Sequence, residues 1–566
     1  MPKARPASLF VPGLLISALL LAAPALRAES NAAILQQHYT AAQTLQHQGR
    51  LSQAAAQYRL FIADALGELA IDRARLHQYN HAAPLFDEAL ALAPRSPALQ
   101  VEYAQAAVIA GHASRARYLA RQILADYPDD PHALAHAHFV LGRLLFSENH
   151  ARQARSQFQT AFSLQPSFPN GYSLAVACLA LDDKACATTA FARLEKIYGS
   201  SPALHMDFGR AWMRSDFQPK AIAEFRTALA EDPHFPGAHY ALAAALIAAN
   251  SGANQAEAQA QLRLQLAATP QNPLAWAALG HLLAVQHRDA QALADLNRAI
   301  QLNASSPDAW LYLGELDFNS GRHTQAAAAF RRAIQLTKDP ARGRFRIRKA
   351  HYLLGRILAA QGHHHQALAQ MHIAQQLDQD SLSLDRRRMA DFLDAADSSG
   401  RTPAAAAHAA AHAPSDSARS QPLADPVAIR ETNALAQQLA DPVADSFDNL
   451  GVIAASQKRF SAAAADFQQA AGWNAALPGL NKNWGRAAFY AGRFSDAIVP
   501  LARLVATQPR NQHYRAALGI SQYMTGDYAA CIRTLQPIKA QLASIPAAQR
   551  IYKAALVKIA AKQKTQ

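Results

Sequence analysis

Histidine, arginine and cysteine are the groups in this chain that could do chemistry. The 566 residues include 23 histidines, three cysteines and 55 lysines and arginines. Two histidines flanking H-E-x-x-H would bind zinc, G-x-x-x-x-G-K-[ST] would cradle a phosphate, and G-x-S-x-G would present a serine nucleophile. None of these strings occurs, and cysteines paired at zinc spacing are missing too. The one dense imidazole cluster is His363, His364 and His365 with His372. His364 or His365 could share a helical face with His372. The triplet follows Gly362, however, where a solvated turn is expected, and no thiol or carboxylate accompanies it. No catalytic, cofactor-binding or metal-binding residue is therefore assigned.

Cys178 and Cys186 lie in C-L-A-L-D-D-K-A-C. A turn at Asp182–Lys184 would set the two thiols opposite each other. In an oxidising compartment a disulfide could staple that hairpin; the alternative is two buried free thiols. Cys531 stands where a small packing residue is expected. The most basic run, from Lys338 to Lys349, includes Arg342, Arg344, Arg346 and Arg348. It reads as a solvated insertion, with a patch for an acidic partner as the alternative. Arg386–Arg388 form a second short basic cluster.

Lys3 and Arg5 precede an apolar run from Leu9 to Ala23, broken at Pro24 and followed by small residues. This pattern predicts a secretory signal peptide over 1–28, cut after Ala28 or, as second choice, after Ala25. The run is short for a membrane span. The mature chain is expected to be exported, periplasmic or secreted, with no transmembrane segment. The formal charge is +14, and loss of Lys3, Arg5 and Arg27 leaves +11. That surface suits acidic partners or anionic polymers as well as plain solubility; nucleic acid is not expected for an exported chain.

The elements that position these groups are helices. Alanine is abundant, and strand-like runs of Val, Ile and Thr are nearly absent. Trp276, Leu279, Gly280, Ala292, Leu296 and Ala299 recur as Trp310, Leu313, Gly314, Ala326, Phe330 and Ala333, each pair 34 residues apart. Trp276, Leu279, Gly280 and Leu283 share one helical face, and Ala292, Leu296 and Ala299 share a face of a second helix. Small residues would sit where the two backbones come closest. One such hairpin is too small to bury its apolar side alone and must stack on neighbours.

This W-x2-L-G … A-x3-(L/F)-x2-A pattern resembles the tetratricopeptide repeat. The resemblance implies an all-α, right-handed α-solenoid (superhelix) of about 13 stacked helix-turn-helix units in two arrays. Residues 29–395 would form an N-terminal array of about ten repeats. From Asp397 to Pro422 there is no Leu, Ile, Val, Met or aromatic residue, so 396–430 reads as an Ala/Ser/Pro linker. Residues 431–566 would form about three repeats, closed by a Lys-rich helix from Ile545 to Lys562.

The resemblance also implies a function. In this family, first helices of successive repeats line a concave face that takes extended peptides or partner helices. The residue after the small Gly/Ala position would face that groove: Arg143, Arg210, His281, Glu315, Arg356 and Arg486. Flanking positions add Phe139, Phe146, Tyr240, Phe318, Tyr352 and Phe489, with Met206, Met213 and Tyr523. Arginine and aromatic residues are what binding hot spots are made of. The alternative is that the aromatics pad contacts between repeats. The two-lysine carboxylate clamp of chaperone-binding members is not recognisable. The expectation is a non-catalytic scaffold for protein partners in the bacterial cell envelope, with no cofactor. An accessory role in exopolysaccharide or pilus export is the first alternative, and an enzyme with an unrecognised site is the second. The partner and the oligomeric state are left open.

Overall fold

The computed structural model describes residues 32–249, 252–337, 340–379 and 426–564. The expected signal peptide, most of the expected linker and Arg386–Arg388 lie outside them. So do the side chains of the basic run up to Arg346. The described residues form consecutive helix pairs, an all-α solenoid architecture without a strand among them.

The start of many first helices is written locally. Asp130, Ser201, Asn272 and Ser306 each accept a backbone N–H of the first turn, and each is followed by proline at the first helical position. The turn inside each pair needs one left-handed residue. Gly321 fills it in one repeat (φ 75°) and His287 in the repeat before it (φ 59°). The next N–H then reaches back to the helix end, from Arg288 to Leu283 O at 2.9 Å and from Arg322 to Asp317 O at 2.8 Å.

The repeat pattern is a packing rule. A Cβ on Gly280 would lie 2.7 Å from Leu296, and one on Gly314 would lie 2.7 Å from Phe330. Gly142 faces Phe158 and Gly451 faces Phe467 in the same way, each at 2.6 Å. In all four pairs the bulky residue comes 16 positions after the glycine, on the second helix. Ala292, Leu296 and Ala299 are fully buried, as are Ala326 and Phe330. Trp276 and Trp310 do more than fill space: their indole N–H groups donate to Pro270 O and Ala304 O, both at 2.9 Å. Each ring thereby ties its helix to the end of the preceding repeat.

Leu51–Arg75 is one continuous helix that serves as the second helix of the first hairpin and runs on into the next. Pro426–Ser456 is likewise a single helix, despite Pro442 inside it. It begins within the stretch read as linker, so residues 426–430 are helical rather than irregular.

The described residues divide into two compact units, one boundary falling within the stretch read as linker and a second after Leu99: one unit holds residues 100–379, and the other combines residues 32–99 with residues 426–564. Leu35, Ala42, Tyr58, Phe61 and Ile62 share a core with Val443, Phe447 and Leu450. The first hairpin, expected to open the long N-terminal array, is therefore built into the unit that holds the C-terminal repeats. That unit ends with helix Pro546–Lys564, which buries Ala548, Tyr552 and Ala555 against Cys531, Leu535 and Leu542. Cys531 is fully buried, in keeping with a packing role.

Candidate functional site

The groove candidates of residues 100–423 separate into filled and accessible positions. Phe139, Phe146 and Met206 are buried in the core, with Phe139 packed on Phe158. Arg143 is also buried, its guanidinium 6.0 Å from the centre of the Phe139 ring. These four pad the repeats rather than line a surface. Tyr240, Phe318 and Met213 are half-buried against the core. Tyr352 and Arg356 are exposed, and Arg356 lies over the Phe318 ring at 5.2 Å.

The remaining positions form a polar row. Arg210 pairs with Asp207 at 3.1 Å. Burial raises the Asp207 carboxyl to about 6, while Arg210 opposes the rise. His281 stacks on Tyr312 with ring centres 4.2 Å apart and lies 3.9 Å from Glu315. Burial, with help from Lys349, lowers His281 to about 4, so at neutral pH the imidazole is uncharged. Glu315 is paired instead with Lys349 of the next repeat, at 2.8 Å. Burial raises the Glu315 carboxyl and Lys349 offsets part of that. These side chains therefore answer one another across neighbouring repeats.

The unit with the C-terminal repeats is different. Arg486 is exposed, Phe489 is half-buried against the core, and Tyr523 packs on Tyr528. Tyr490 and Met524, four residues after the Arg486 position in their own repeats, are exposed large apolar groups.

The cysteines and the histidine cluster resolve simply. Cys178 and Cys186 are joined as a disulfide across the Asp182 turn, with Cα atoms 5.8 Å apart. His363, His364, His365 and His372 are all exposed around Gly362, and no metal-competent group of three ligands occurs among the described residues.

The role of many other histidines was not legible in the sequence. Four residues before the small position, a histidine replaces tryptophan and bridges the two helices of its own hairpin. His38 meets Gln57, His138 meets Gln157 and His351 meets Gln370, 19 residues apart in each case and at 2.6–2.7 Å. A 19-residue His…Gln spacing whose histidine lies four residues before the small repeat position is the signal that could have revealed it. His205 makes the same contact with Glu224 at 2.7 Å, and its other nitrogen lies 2.8 Å from Ser200 Oγ.

Ser200, His205 and Glu224 thus have the distances of a hydrolytic triad. The chemistry is otherwise. Ser200 Oγ also donates to Glu231. The Glu224 hydrogen bond, against the cost of burial, raises His205. The serine proton is thus directed at the Glu231 carboxylate and not at the imidazole, so the geometry is not that of a serine activated by its histidine.

The tetratricopeptide repeat model matches residues 68–131, 277–343 and 482–530. No curated protein matches the chain. Among solved structures, the chain is similar to a tetratricopeptide repeat protein from Parabacteroides merdae, at 13% identity and a TM-score of 0.36, over 45% of this chain and 98% of that one. It is similar to the TPR domain of P58(IPK) at 12% identity and a TM-score of 0.22, over 76% of this chain and 99% of that one. It is also similar to YrrB, described as a TPR protein with an unusual peptide-binding site, at 21% identity and a TM-score of 0.25, over 35% and 95% of the two chains. With the repeat register, the glycine-to-aromatic packing and the helix pairs in agreement with the matching model, the chain carries tetratricopeptide repeats over the matched residues.

Proposed function

We propose that this chain is a non-catalytic scaffold that gathers protein partners in the bacterial cell envelope by holding an extended segment or helix on its first-helix face. Repeats of a kind that serves protein–protein interaction support the scaffold reading. The observation that carries the groove is the side chain one residue after each small position in either unit: Arg210, Glu315 and Arg356 in the one and Arg486 in the other reach solvent to different degrees. The envelope placement rests on the N-terminal segment read in the sequence. The closed Ser200–His205–Glu224–Glu231 network supports the non-catalytic reading, because the triad-like distances there lack a free base.

The test is retention from a crosslinked, detergent-solubilised envelope extract by residues 29–566. Arg210→Glu, Arg356→Glu and Arg486→Glu are run beside the parent. A protein retained by the parent and lost from at least one of these variants supports the groove. A partner held equally by all four chains removes the groove from the reading. Retention of glycan alone would favour the export-accessory alternative.

A further inference from the structure

From Tyr528 to Gln566 the chain holds seven lysines and arginines and no aspartate or glutamate. Helix Pro546–Lys564 runs through this stretch, and one side of it is used for packing. Ala548, Tyr552 and Ala555 are buried there at i, i+4 and i+7, and Tyr552 donates its hydroxyl to Gln536. At 3.6 residues per turn, Val557 lies half a turn around the helix from Ala548. That outer side carries Arg550, Lys553 and Val557 at i, i+3 and i+7, all exposed, with Leu556 and Lys558 exposed beside them. Val557 keeps 68% of its surface and Leu556 keeps 45%. No ion pair holds Arg550, Lys553 or Lys558 among the described residues.

The mixture on this face selects its partner. Carboxylates fixed on a folded protein would have to match the cations one by one. Anionic headgroups move freely in the plane of a bilayer and gather beneath the cations. The layer under them also takes up the two aliphatic side chains, which an anionic polymer in water would leave wet.

We infer that the outer face of helix Pro546–Lys564 rests on an anionic lipid surface. Arg550, Lys553 and Lys558 meet the lipid phosphates, and Leu556 and Val557 enter the headgroup layer. Two aliphatic groups are too few to insert the helix, so the attachment is peripheral and chiefly electrostatic. It is independent of the groove reading: lipid would hold the scaffold by its last helix, whatever the first helices bind.

The test is cosedimentation of residues 29–566 with vesicles of equal parts phosphatidylglycerol and phosphatidylcholine, beside vesicles of phosphatidylcholine alone. This chain keeps every described residue and omits the apolar run Leu9–Ala23, which could enter lipid by itself. The parent should sediment with the anionic vesicles only and be released by high salt. Lys553→Gln with Lys558→Gln should weaken binding roughly thirtyfold, with helix content by circular dichroism unchanged. Leu556→Ser with Val557→Ser should weaken it several-fold and leave the salt dependence in place. A control with the same loss of charge, Lys482→Gln with Arg486→Gln, should bind like the parent. Absence of binding to the anionic vesicles overturns the inference. So does a control that loses as much as the Lys553 and Lys558 pair, because net charge and not this face would then be the cause. If the serine pair binds vesicles like the parent, and immobilised alginate captures the parent equally well, the face takes anionic polymer and the lipid assignment is refuted.

Discussion

Tyr39 donates its hydroxyl to Asp445 at 2.7 Å, joining residues 406 positions apart in the chain. Gln46 and Asn449 repeat the contact at 2.9 Å, one helical turn or two further on. Beneath them Ala42, Phe61 and Ile62 share a core with Val443 and Phe447. The first hairpin is thus a structural part of the unit that ends the chain. A fragment of residues 424–566 would leave Val443, Phe447 and Leu450 uncovered. It should melt without a cooperative transition or aggregate, and added residues 32–92 should restore a cooperative melt. A fragment that melts sharply alone would refute this. In the full chain, Tyr39→Phe should destabilise that unit by about 1–3 kcal/mol, because the hydrogen bond goes to a charged acceptor.

The glycine-to-aromatic rule predicts a compensating pair. Gly314→Ala places a methyl 2.7 Å from the Phe330 ring. Overpacking of this kind costs roughly 1–3 kcal/mol. In a chain that already carries Phe330→Ala the added methyl should cost much less, because the ring it would meet is gone. Urea melts of the two single variants and the double variant measure the coupling. Additive losses would show that the ring is not the obstacle.

The turn positions should respond in opposite directions. His287 holds φ 59° and Gly321 holds φ 75° at the equivalent place. A non-glycine residue pays roughly 1–2 kcal/mol there. His287→Gly should therefore raise the urea midpoint slightly, because relief of strain is partly offset by the looser unfolded chain. Gly321→Ala should lower it by about 1 kcal/mol. Midpoints that move the same way would overturn the explanation.

Asp448 and Asp466 are both raised to about 6 by burial, in the unit with the chain ends. Their unfolded values are near 3.9. Between pH 4 and 6 the folded state binds more protons than the unfolded one, so stability falls as pH rises through that window. Above it the loss is complete. Hydrogen exchange at amides of Pro426–Trp473 should therefore be slower at pH 5 than at pH 7 after correction for intrinsic rates. Asp448→Asn should flatten the difference. Faster opening at pH 5 would contradict it.

His205 gains its stability from the protonated form. Its folded value is raised, chiefly by the Glu224 hydrogen bond, so its contribution is full below about 6.5 and is lost as pH climbs through the raised value. Glu195, Glu224 and Glu231 are the charged groups facing it. Glu224→Gln recreates the neutral pairing of His138 with Gln157. It should reduce the pH dependence of exchange in Pro202–Glu231 above about pH 6.5 while leaving the helices in place. An unchanged slope would place the dependence elsewhere.

Much of the architecture was legible without coordinates. Each helix start, turn and close approach depends on residues within about 34 positions of one another. Pro after Asp, Ser or Asn, a residue able to take the left-handed turn, and Gly answered by Leu or Phe 16 positions later specify one hairpin at a time. The Cys178–Cys186 pairing was legible for the same reason, being local to one turn. The groove row was legible as a register but not as a surface. The repeat assigns Arg143 and Arg486 the same place; only the packing of Phe139 and Phe158 buries one, and the lack of an acid neighbour leaves the other free. The union of residues 32–99 with residues 424–566 was not legible at all. Stacking faces of tetratricopeptide hairpins are alike, so local pattern says that a face must be covered without saying which distant hairpin covers it. That choice belongs to the tertiary structure, through contacts such as Tyr39 with Asp445.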